Sequence, residues 1–116
     1  MTAGTYAPIR GRNLSEQIDD LRVRAIAALA EVPRLITEAP VITHWWRTQP
    51  MENAAKHYRI VLGAALYLKM RDDPDDRELV DRLFRAAGTV FSLLPRKTEQ
   101  AIVAEILETA RRGEVP

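Results

Sequence analysis

Residues 50–70 read PMENAAKHYRIVLGAALYLKM, and their pattern decides the fold. Ala54, Tyr58, Val61, Ala65 and Leu68 recur at spacings of four and three, which places them on one stripe of an α-helix. Ile60, Leu62, Ala64, Leu66 and Tyr67 make the remaining sides apolar as well. A helix that is apolar all round is central in its bundle or buried in an oligomer. Pro50 suits its first turn, because a first-turn amide has no partner inside the helix to lose. Gly63, mid-helix, costs ~1 kcal/mol relative to Ala and marks a candidate close helix crossing.

Before this helix the chain is punctuated by Pro33, Pro40 and Pro50, so the segment between them reads as a connector. Upstream of it, Leu14, Ile18, Leu21, Ala25, Ala28 and Val32 form a second helical stripe. Asn13 and Glu16 make a capping-box pattern at its start, and Pro33 ends or kinks it. Residues 1–12, broken by Gly4, Pro8 and Gly11, read as a flexible arm carrying Arg10 and Arg12.

After the central helix, RDDPDD at residues 71–76 reads as a loop and a helix start, with Asp73 as cap and Pro74 in the first position. Asp75 and Asp76 then favour the positive end of the helix dipole. Leu79, Leu83, Ala87, Val90 and Leu94 form a third stripe that Pro95 closes. Thr98 is the expected cap of a last helix carrying Ile102, Ile106 and Ala110, with Gly113 just past its end. The reading is an all-α, antiparallel bundle of four long helices, at 13–32, 50–70, 74–94 and 98–112. A Pro-punctuated connector joins the first two, and residues 13–116 make one domain. Leu21, Leu62, Leu83, Phe84, Val90 and Ile106 are the expected core.

The chain of 116 residues, 47% hydrophobic and 28% charged, has the balance of a folded domain rather than a disordered one. Net charge is only +1, so no whole-molecule field draws it to nucleic acid or membrane. The absence of Cys excludes disulfides, thiolate catalysis and Cys-based zinc sites. Residues 1–12 lack a signal-peptide core, and Ile60 to Leu68 is far shorter than the ~20 apolar residues of a membrane span. A cytoplasmic protein with no membrane association is the resulting expectation.

Few residues offer chemistry. The acids at 72, 73, 75 and 76 lack the alternating ligands, turn glycine and distal Glu of a calcium loop. His44 and His57 form no metal-binding pair, and Ser15 and Ser92 sit on no nucleophile elbow. The five glycines are too dispersed for a phosphate loop. No enzyme, metal or cofactor is expected. Fourteen of the seventeen basic residues are Arg; the planar guanidinium suits anion binding, but codon usage is the preferred explanation, since Ala is abundant too.

Trp45 and Trp46 stand out, because connectors rarely contain tryptophan. Adjacent side chains diverge, so one ring can cover the bundle while the other anchors a partner, rimmed by His44 and Arg47. The function that follows is a small helical adaptor, regulator or inhibitor binding a protein partner, itself included as a homodimer. The alternative is a nucleic-acid-binding accessory protein of a plasmid or phage, using Arg10 and Arg12 in the arm.

Overall fold

Four helices account for nearly all of the computed structural model, which describes residues 13–42 and 48–116. They are α1 (Leu14–Ile42), α2 (Thr48–Arg71), α3 (Arg77–Phe91) and α4 (Arg96–Arg111). No strand occurs among the described residues. The helices pack against one another as an all-α bundle in which α2 touches each of the other three.

The helix ends follow from local chemistry. Asn13 and Glu16 form a reciprocal capping box: the Asn13 amide donates to Glu16 Oε1 at 3.1 Å, and the Glu16 amide to Asn13 Oδ1 at 2.8 Å. Before α3, Asp73 accepts from the Asp75 amide at 2.9 Å and caps a 3-10 turn, Pro74–Asp76. After α4, Gly113 sits at φ +72°. Its amide donates to the Ala110 carbonyl at 2.9 Å, and the Glu114 amide to that of Thr109 at 3.2 Å. Together these bonds make a Schellman motif. The start of α4 differs from the sequence expectation: Pro95, not Thr98, is the cap residue, and its carbonyl accepts from the Glu99 amide at 3.0 Å.

The larger difference lies in α1, which continues through Pro33 to Ile42 and shortens the connector accordingly. Packing accounts for it. The inner stripe of Leu21, Ala25 and Ala28 extends past the proline to Leu35, which is fully buried. Burying a Leu side chain is worth ~1.5–3 kcal/mol, comparable to the ~3 kcal/mol an interior proline costs. Pro33 itself lies on the exposed side of the helix.

The core joins Leu21 and Leu35 of α1, Val61, Ala65 and Leu68 of α2, Leu83 and Val90 of α3, and Ile102 and Ile106 of α4. Leu62 and Phe84, expected inside, are half-buried at its edge. The Phe84 ring lies 5.7 Å from Lys69 Nζ, close enough for a cation–π contact. Ala64 is fully buried and Ile60 and Tyr67 half-buried, so the bundle covers the off-stripe face of α2 within one chain. Among the described residues no other helix comes within 4 Å of a Cβ added at Gly63. A Cβ placed there would lie 3.5 Å from Cβ of Pro116, so the closest neighbour is the segment after α4.

Candidate interaction surface

The first site read from the sequence, His44, Trp45, Trp46 and Arg47, lies outside the described residues, between the end of α1 and the start of α2. Arg10 and Arg12 also lie outside them. The remaining candidate groups take structural positions. His57 Nδ1 pairs with the Asn53 carbonyl one turn back at 2.9 Å, and Ser92 Oγ donates to the Thr89 carbonyl at 2.7 Å. Among the described residues no group of three or more His, Asp or Glu is placed to hold a metal ion.

The acidic loop has a use that local sequence reasoning missed. Asp76 is buried and receives both arms of one guanidinium, with Arg22 Nε at 2.9 Å from Oδ1 and Nη2 at 2.9 Å from Oδ2. The second Arg22 Nη donates to Asp19 at 2.8 Å. Hydrogen bonding to Asp76, opposed by partial burial, pushes the guanidinium above its usual range. This clamp ties α1 to the α2–α3 loop. The ends of the clamp lie far apart in the chain, so no local pattern could reveal it.

At the other end, Tyr58 is buried and its hydroxyl donates to Glu99 Oε2 at 3.2 Å, joining α2 to α4. Burial first, then the Glu99 charge and hydrogen bond, push the phenol up to about 12. Between α1, α2 and α4 lies a groove of about 340 Å³. Arg59 and Glu105 pair across it at 2.8 Å, and Arg24 donates to the Pro116 main-chain oxygen at 2.8 Å. Its charges are thus matched internally, and residues 114–116 line its edge.

Among the described residues, exposed apolar side chains line up along the outer face of α1. Val23 is 66% exposed and Ile26 53%. Ala27, Ala30 and Pro33 are exposed beside them. At 3.6 residues per turn these five side chains share one face, opposite the Leu21–Ala25–Leu35 stripe in the core. No charged residue interrupts the line from Val23 to Pro33; Asp19 precedes it and Arg34 follows it. The sequence carries this signal as a second apolar set in α1, offset from the one that reads as core. A comparison with known proteins finds no protein family, no curated protein and no solved structure that matches the chain. Among the described residues no helix is long and apolar enough to cross a membrane.

Proposed function

We propose that this chain is a non-enzymatic protein–protein interaction module, a small helical adaptor or regulator that docks a protein on the outer face of α1. The exposed line from Val23 to Pro33 carries this reading. Contiguous apolar surface is costly to leave in water, and proteins that keep it generally cover it with a partner. The core is closed without these side chains, so the fold does not require them to be apolar. Trp45 and Trp46, in the segment between α1 and α2, are the second candidate anchor that the sequence offers.

A photo-crosslinking residue placed at Ile26, with a control at the exposed Arg85 of α3, tests the proposal in the native host. Discrete protein adducts at position 26 and none at 85 are the expected result. No adduct at 26, or equal adducts at both, would overturn it. Retention of nonspecific DNA by the purified chain, weakening steeply with salt, would instead favour the nucleic-acid reading based on Arg10 and Arg12.

A further inference from the structure

We propose that the occupant of the α1 outer face is a second copy of this chain, its α1 running antiparallel to the first about a two-fold axis near residue 28. This rests on the reading of that face as a docking surface and goes beyond it by naming the partner and the register. Asp19, Val23, Ile26, Ala30, Pro33 and Thr37 alternate at spacings of four and three, the seam pattern by which two helices pack along their length. Ala27 and Ala30 lie near its middle, where small side chains let two backbones approach closely.

Charge selects the direction and the register. A parallel pair would set Asp19 of one copy against Asp19 of the other inside the seam. In the antiparallel pair centred near residue 28, Val23 faces Pro33 of the second copy and Ile26 faces its Ala30. Asp20 then flanks the seam opposite Arg34 of the second copy, and symmetry repeats the pair. Sliding the second helix one heptad towards one end sets Asp19 against Ala30. Sliding it to the other end sets Val23 against Pro40, and either shift separates Asp20 from Arg34.

Within one chain Asp20 pairs with Arg24 at 3.0 Å and Arg34 with Glu31 at 2.7 Å. Exposed pairs of this kind contribute little, so an added pair between Asp20 and Arg34 of the second copy is formed by sharing these groups and serves register more than affinity. The seam is short, and the area it buries falls below the ~1,200 Å² at which stable complexes begin, so the proposed dimer is a weak one.

Sedimentation of the purified chain, with pulsed dipolar distances between nitroxide labels, tests this directly. The chain has no Cys, so Ser15→Cys and Glu31→Cys each give a single labelled site. A monomer–dimer equilibrium is expected, with Ser15 labels about 40 Å apart and Glu31 labels within about 25 Å, from the helix rise and the two-fold position. Ile26→Glu should weaken association at least about tenfold by placing a charge in the seam. Asp20→Arg and Arg34→Asp should each weaken it several-fold, and the double variant should recover most of the loss.

Monomer mass up to about 0.5 mM, well above any micromolar Kd, overturns the proposal. So do short distances at both label sites, which mean a parallel pair, or a double variant that does not recover. Monomer mass with crosslinks from position 26 to a different protein rejects the second copy while leaving the docking face in place. Monomer mass with no crosslink rejects both.

Discussion

α2 and α1 form a contrast. Residues 60–68 of α2 are apolar on every side, which by itself points to an oligomer, yet one chain buries or half-buries all of them: α1, α3 and α4 pack around α2, and Pro116 rests over Gly63. α1 shows an ordinary amphipathic stripe and a good cap, yet it leaves Val23 and Ile26 in water. The excess of apolar residues in α2 measures its centrality in the bundle. The apolar set that no core position requires is the smaller one in α1, and the proposed docking rests on it.

If α2 is closed off within one chain, its surroundings should tolerate little change. Leu83, on the buried face of α3, is fully buried, and Leu83→Ala should cost ~2–5 kcal/mol in chemical denaturation. A loss of a few tenths would break the contrast, because α2 would then be loosely enclosed. The inner side of α1 is fastened by the Arg22 clamp as well as by packing. Arg22→Ala strands the buried Asp76 carboxylate and should cost ~1–3 kcal/mol, less than a fully buried pair because the Arg22 side chain is 29% exposed.

The α2–α4 junction should show itself in alkali. Tyr58 holds its proton to about 12 in the folded chain, against 10.0 for the ordinary phenol. Below pH 10 both states are protonated and stability is unaffected; between pH 10 and 12 the unfolded chain loses the proton first, so stability falls as pH rises. The loss attributable to Tyr58 is ~1–3 kcal/mol and should vanish in Tyr58→Phe, read as the difference between the two melting curves across that window.

The smallest effect concerns the end of α2. Asp72 takes φ 56°, with its amide bonded to the Leu68 carbonyl at 3.2 Å. Glycine adopts this left-handed conformation without strain, so Asp72→Gly should stabilise the protein by ~0.5–1 kcal/mol. A destabilised variant would mean that the Asp72 side chain holds the turn.

Much of this architecture is legible locally. Asn13 with Glu16, Asp73 with Pro74, and Gly113 mark ends that the structure keeps, because a cap satisfies amides or carbonyls within a few residues of itself. The stripes that place Leu21, Leu83, Val90 and Ile106 inside do so because helical periodicity is also local. Non-local terms account for the rest. Pro33 reads as a break until the burial of Leu35 beyond it is included, and Asp76 reads as a dipole partner until Arg22 arrives from another helix. The outer face of α1 was equally present in the sequence, but only the finished core shows which of its two apolar sets is left over.

The central claim is that the same change should matter at one helix and not at the other. Ala64→Glu and Ile26→Glu each place a carboxylate on a helix, at a fully buried position of α2 and at a half-exposed position of α1. Thermal melts at a concentration low enough for every species to be monomeric should show Ala64→Glu losing several kcal/mol or failing to fold. Ile26→Glu should stay within ~0.5 kcal/mol of the parent. Comparable losses in the two variants would contradict the account, because the outer face of α1 would then be covered within the single chain.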